Sequence, residues 1–195
     1  MLTSHVRWLS VVALVAFLSG CFYPEKFTLD VDFQDDGAVL LTYEGTTFLH
    51  EALTHMRVSK KELTAQENAT MVKIAESIAK RPDVQSATYI GNGRFQIKAT
   101  RSAHKGQLLT DMPIFGVFRD LDQNTDLLMQ TGLNVDPIYK ELNLAPTGVI
   151  RITVPDSAKV VSSTTEPKRS MLFFGKRTYT WNYKLGAEAR MRLRF

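Results

Sequence analysis

The segment FTLDVDFQDDGAVLLTY (residues 27–43) decides the fold, because it has the pattern of two strands joined by a tight turn. Apolar side chains alternate with polar ones along its first half, at Phe27, Leu29, Val31 and Phe33. A period of two is typical of a strand with one buried face. Asp36-Gly37 is a strong hairpin signal, and residues 38–43 return as the second strand.

The chain on either side of this hairpin alternates between strands and short helices. Residues 47–56 are ambiguous between helix and loop, whereas 64–81 predict an amphipathic helix with a capping box at Thr64 and Glu67. Further hairpins are predicted at 84–101 and 114–131, and a short helix at 136–144. Strands are predicted at 148–154, 160–161, 178–183 and 189–195, with a polar loop at 162–169. This order predicts an α+β fold, a mostly antiparallel sheet of hairpins with one main helix packed on a face.

The first 21 residues have the parts of a secretory signal. Arg7 precedes an apolar run over residues 8–18, which is about half the roughly twenty residues that a membrane-spanning helix needs. Leu18-Ser19-Gly20-Cys21 then resembles the lipobox of bacterial lipoproteins. The resemblance implies cleavage before Cys21, diacylglycerol on its sulfur and an acyl chain, palmitate for example, on the new amine. Cys21 is the single cysteine, so no disulfide within the chain competes for it.

This resemblance implies a division of the chain and a location. Residues 1–20 are expected to be a lipoprotein signal peptide, and residues 21–195 a single α+β periplasmic ectodomain tethered at Cys21. In Gram-negative lipoproteins, Asp after the cysteine resembles a signal for retention in the inner membrane. Phe22 stands there instead. The expected location is therefore the cell membrane or the outer membrane, facing the periplasm, with the outer membrane favoured.

The charge of the chain is mildly basic. Removing residues 1–20 takes away Arg7 and no acid, so 24 basic side chains become 23 against 20 acidic ones. This excess does not favour nucleic acid as a partner. The segment 168–195 nevertheless holds eight basic side chains and one acid. Arg190, Arg192 and Arg194 alternate along its last strand and are candidates for contact with an anion or a lipid headgroup.

Two structural roles for these arginines compete with ligand binding. Like charges on one strand face repel each other, so Asp30 and Asp32 are candidate internal partners. Alternating charge also protects an edge strand from aggregation.

Tyr179, Trp181 and Tyr183 share one face of a predicted strand. They fit either the core or an aromatic platform for a sugar, an acyl chain or a protein partner.

No motif for a catalytic or metal site stands out. His50 and His55 are five residues apart, whereas the zinc-protease helix needs histidines four apart. The acidic cluster at residues 30–36 lacks the closing Glu of a calcium loop, because Tyr43 stands at that position. We therefore expect no catalytic residue, no metal and no cofactor beyond the lipid on Cys21.

The function expected from these features is a membrane-anchored, non-catalytic binding or envelope-assembly module. Its expected partners are the membrane, through the anchor, and an envelope protein or anionic lipid. A protein that binds or transfers lipid or another hydrophobic ligand is the first alternative. An envelope enzyme is the second.

Overall fold

Strands dominate the part of the chain that the computed structural model describes, which is residues 22–104, 115–119, 126–131, 136–168, 176–185 and 189–195. The lipobox with Cys21 and the predicted turn at 121–124 lie outside these residues. The strands are β1 (Phe22–Phe33), β2 (Val39–Leu49), β3 (Val84–Gly91), β4 (Arg94–Ala103), β5 (Phe115–Arg119), β6 (Asp126–Thr131), β7 (Thr147–Pro155), β8 (Lys159–Ser163), β9 (Pro167–Lys168), β10 (Lys176–Lys184) and β11 (Arg190–Arg194). The helices are α1 (His50–Ser59), α2 (Ala65–Ala79) and α3 (Asp136–Glu141).

The strands form two sheets. Seven strands pair in the order β3-β4-β2-β1-β7-β10-β9, and four pair in the order β5-β6-β11-β8. All three predicted hairpins are confirmed as antiparallel pairs, β1 with β2, β3 with β4, and β5 with β6. The α+β class is confirmed in broad terms. One pair departs from the antiparallel pattern, because β1 runs parallel to β7 at the centre of the larger sheet.

Three details differ from the sequence prediction. The ambiguous residues 47–56 divide between β2, which continues to Leu49, and α1, so the described residues include a second substantial helix in addition to α2. The predicted loop at 162–169 contains β9, a two-residue strand paired with β10. The β11 strand is not an edge strand, because it lies between β6 and β8.

The core lies on the inward faces of the strands. Alternation in β1 places Phe27, Leu29, Val31 and Phe33 in one buried cluster with side chains from β2, β7, β10 and β11. Tyr139 of α3 is completely buried there, and its hydroxyl donates to the Pro24 carbonyl at 2.5 Å. This bond links α3 to the start of β1 and satisfies the buried Tyr139 hydroxyl, because a buried hydroxyl without a partner costs free energy.

The α2 helix begins at the predicted capping box. The Thr64 hydroxyl accepts from the Glu67 backbone N–H at 3.3 Å, and the Glu67 carboxylate accepts from the Thr64 backbone N–H at 2.7 Å. The helix buries Ala75 and Ile78 and lies against β3, at one edge of the larger sheet.

Candidate functional site

The candidate site is a polar groove of about 880 Å³ on the outward face of the larger sheet. Strands β4, β2, β1, β7 and β10 supply its lining. Because side chains alternate along a strand, the residues that leave the core on these five strands meet on this face. The inward face of the same strands forms the core.

Strand register arranges the groove in rows that run across the sheet. The row nearest the start of β1 contains one outward-facing residue from each strand, which in order are Gln96, Thr46, Lys26, Thr147 and Lys184. The Thr46 hydroxyl donates to the Gln96 side-chain oxygen at 3.1 Å, which fixes that end of the row. Hydroxyl and amide groups, with lysines among them, form a surface suited to a polar ligand.

Both carboxylates that line the groove are held in ion pairs. Asp30 faces Arg151 across the parallel pair, with two hydrogen bonds of 2.5 and 2.9 Å. The hydrogen bonds that Arg151 donates to the Asp30 carboxylate raise the pKa of Arg151. Glu44 faces Lys98 across β2 and β4 at 3.1 Å. These pairs are about half-exposed, so each contributes about 1 kcal/mol or less to stability.

Two groove cations stand apart from these pairs. Lys26 and Lys184 are exposed, and among the described residues no acidic side chain forms an ion pair with either. Thr147 lies between them in register, since Lys26 pairs with Thr147 on β7 and Thr147 pairs with Lys184 on β10. Sequence reasoning did not identify this trio. Its members are 37 or more residues apart, and only the β1–β7–β10 order brings them into one row.

Two glycines and a buried ring lie directly beneath this row. Gly45, Phe27 and Gly148 are register partners on β2, β1 and β7. A Cβ at Gly45 would clash with the Lys26 carbonyl oxygen and would lie 2.7 Å from the Phe27 Cα. A Cβ at Gly148 would lie 2.6 Å from the Phe27 ring. Both glycines therefore allow their strands to approach Phe27 of β1 closely, and this close approach holds Lys26 and Thr147 at their places in the row.

The arginine row predicted as an anion contact lies elsewhere, on the smaller sheet. Met191 and Leu193 of β11 are completely buried, so the intervening arginines face outward, Arg190 exposed and Arg192 and Arg194 half-buried. Asp30 and Asp32, which were suggested as internal partners of these arginines, form ion pairs with other residues. Asp30 pairs with Arg151, and Asp32 pairs with Lys176 at 3.0 Å. Anion contact by Arg190, Arg192 and Arg194 stays a prediction.

The aromatic row of β10 is part of the core. Tyr179, Trp181 and Tyr183 are 4%, 8% and 2% exposed, and the Trp181 indole N–H donates to the Thr164 hydroxyl at 2.9 Å. The first two rings stack on each other with centroids 6.2 Å apart. A ligand platform on these rings stays a prediction, and it would require uncovering rings that are buried here.

In the described part of the chain, no group of three or more His, Cys, Asp or Glu side chains is placed to hold a metal ion. Within the same ranges, no helix combines the length and the hydrophobicity needed to cross a membrane.

Solved protein structures include chains that are similar to this one. No family model matches the chain, and no curated protein matches it. Among solved structures, the chain is similar to the folded domain of the Mycobacterium tuberculosis LppM protein, determined by NMR. The TM-score is 0.39 and the identity 11%, over 88% of this chain and 91% of that one. A similarity this low assigns neither a family nor a function.

Proposed function

We propose that the protein is an envelope lipoprotein, anchored through lipid on Cys21, whose folded body acts as a non-catalytic binding or assembly module. Residues 1–20 would be removed as a signal peptide, leaving residues 21–195 as the periplasmic ectodomain. The observation that carries the proposal is the sequence Leu18-Ser19-Gly20-Cys21 at the end of an apolar run. Two or more acyl chains on Cys21 would give a stable anchor, whereas one gives marginal binding.

The start of the fold supports this placement. The β1 strand begins at Phe22, the residue directly after Cys21, and Phe22 already pairs with Leu49 of β2. No spacer separates the anchoring position from the sheet. An acylated Cys21 would therefore hold this end of the sheet at the membrane surface, in the outer membrane of a cell that has one.

The groove supports binding rather than catalysis. Its two carboxylates are occupied by Arg151 and Lys98, whereas general acid–base chemistry needs a carboxyl group with access to the reacting proton. Most of the residues that line the groove are polar or charged, which favours a polar ligand over an acyl chain, because binding sites for hydrophobic ligands are lined mainly by apolar side chains.

Mass spectrometry of the protein from its own membranes tests the anchor. We expect an amino-terminal peptide that starts at Cys21 and carries the mass of diacylglycerol and an acyl chain. The Cys21→Ala variant should accumulate as an uncleaved or mislocalised precursor, because the thioether cannot form. An unmodified peptide that still begins at Met1, or normal processing and membrane association of the Ala variant, would refute the proposal.

A further inference from the structure

The groove carries net positive charge at one end. Arg151 in the lining neutralises Asp30, and Lys98 beside the lining neutralises Glu44, so Lys26 and Lys184 leave an excess of two positive charges on this surface. Neighbouring strands lie about 4.8 Å apart, which places the two lysine Cα atoms about 10 Å from each other across β7. The exposed Thr147 between them adds a hydroxyl that donates or accepts. Two ammonium groups around a hydroxyl form a surface that suits a phosphate group.

This positive end is also the end nearest the anchoring position. Lys26 lies five residues after Cys21, so even a fully extended chain separates the two Cα atoms by about 18 Å at most. Lys184 shares the row with Lys26 through Thr147. The nearby Glu25 does not oppose the charge, because it accepts two hydrogen bonds from Arg94, at 2.8 and 3.0 Å. A lipid on Cys21 would thus confine close to the headgroups two cations that have no ion-pair partner among the described residues.

We propose that Lys26 and Lys184, with Thr147 between them, bind the phosphate groups of anionic lipids in the membrane that holds Cys21. The sheet would then lie tilted, with its groove facing the headgroups. This inference rests on the proposed anchoring, which supplies the proximity. It concerns a different surface from the arginine row of β11. A soluble phosphate ester offers the same chemistry, and the experiment separates that source from the membrane.

Lysine acetylation of the lipidated protein in vesicles tests the proposal. Amines react in their neutral form, and a bound phosphate favours the charged form, so binding slows the reaction. One sample uses phosphatidylcholine vesicles and a second uses phosphatidylcholine mixed with phosphatidylglycerol. A third uses phosphatidylcholine vesicles with soluble glycerol phosphate. Lys60 and Lys61, exposed at the end of α1, serve as reference lysines. Mass spectrometry of the Cys21 peptide from the same samples establishes anchoring independently.

Acetylation of Lys26 and Lys184 should slow by about threefold or more in the anionic vesicles, relative to Lys60 and Lys61. High salt should remove the effect. Equal rates in the two kinds of vesicle, with Cys21 shown to be acylated, would overturn the proposal and leave the anchoring intact. Slowing by glycerol phosphate without slowing by anionic vesicles would overturn the membrane source. An unmodified Cys21 would instead count against the proposed function itself.

A pair of matched variants gives a second readout. Neutron reflectometry on supported bilayers measures the thickness of the anchored protein layer, which depends on tilt. For the parent protein we expect a thinner layer on anionic than on neutral bilayers. Lys26→Gln with Lys184→Gln should abolish this difference. Lys60→Gln with Lys61→Gln removes the same charge from exposed positions and should preserve it. If both double variants behave alike, the two groove lysines are not the contact.

Discussion

At the scale of single residues, Gly45 and Gly148 bring the strands of the groove together. They flank Phe27 in register, but the obstacles that a side chain would meet differ. At Gly45 the nearest atom is a backbone oxygen, whereas at Gly148 the three nearest atoms all belong to the Phe27 ring. Backbone in the middle of a paired sheet moves less readily than a side chain. A smaller side chain at residue 27 should therefore relieve one clash and not the other.

We expect Gly148→Ala and Gly45→Ala each to lower the free energy of unfolding by about 1–3 kcal/mol, from overpacking. Phe27→Leu removes the ring but keeps the Cα and Cβ atoms. Combined with Gly148→Ala, it should cost about 1 kcal/mol less than the sum of the single changes, whereas with Gly45→Ala the costs should add. Urea denaturation of the variants measures these energies. Equal coupling in the two pairs would show that the glycine contacts are misassigned.

At the scale of elements, local chemistry determined which pairs were predictable. The turns Asp36-Gly37 and Gly91-Asn92-Gly93 adopt positive φ at Gly37, Gly91, Asn92 and Gly93, as such turns require. Those signals lie within a few residues, so both hairpins could be predicted. The parallel partner of β1 could not, because β7 starts more than a hundred residues later and alternation specifies a buried face without naming a neighbour. The prediction that Asp30 and Asp32 pair with the arginines of β11 was wrong for the same reason, because the strand beside β1 could not be predicted.

The capping box at the start of α2 allows a test of one element. Thr64→Ala removes the hydroxyl that caps the Glu67 N–H and should lower the free energy of unfolding by about 1 kcal/mol. Thr70→Ala is the matched control, because Thr70 lies inside the same helix and its hydroxyl bonds only the Gln66 carbonyl at 3.0 Å. It should be neutral or slightly stabilising, since alanine favours helix. Thermal unfolding would distinguish the two, and equal losses would contradict the cap.

The same cap makes stability depend on pH in a defined direction. Hydrogen bonds from the Thr64 backbone N–H and, to a smaller extent, from its hydroxyl lower the pKa of Glu67 from its usual 4.5. The carboxylate thus stabilises the fold above pH 4.5, and this contribution is lost as the pH falls through the lowered pKa. Glu67→Gln should lack this part of the acid loss, whereas Asp83, whose pKa Arg81 lowers, still titrates in both proteins. Urea denaturation from about pH 6 to pH 3 measures the difference. If the free energies of unfolding of the parent and of Glu67→Gln fell in parallel with pH, Glu67 would have no role in the loss of stability in acid.

At the scale of the whole molecule, the groove is a product of topology. Its first row takes one residue from each of five strands, and their positions in the chain run from 26 to 184. Each of these residues resembles an ordinary exposed polar residue in the sequence. The arginine row can be recognised in the sequence because its charges alternate within five residues. The lysine pair could not be predicted from the sequence, because only the sheet order places Lys26 and Lys184 on either side of Thr147.

The direct junction between Cys21 and β1 leads to a prediction about the whole molecule. A phenylalanine and about twelve Gly/Ser residues inserted between Cys21 and Phe22 would keep an aromatic residue after the cysteine and release the body from the surface. A flexible linker of that length spans about 20 Å on average, beyond the roughly 8–10 Å over which salt leaves surface charge unscreened. In anionic vesicles, Lys26 and Lys184 should then acetylate nearly as fast as in neutral ones, while lipidation of Cys21 and thermal stability remain unchanged. Acetylation as slow as in the parent would mean that the groove binds lipid without help from the short tether, and would contradict a role for proximity to the anchor.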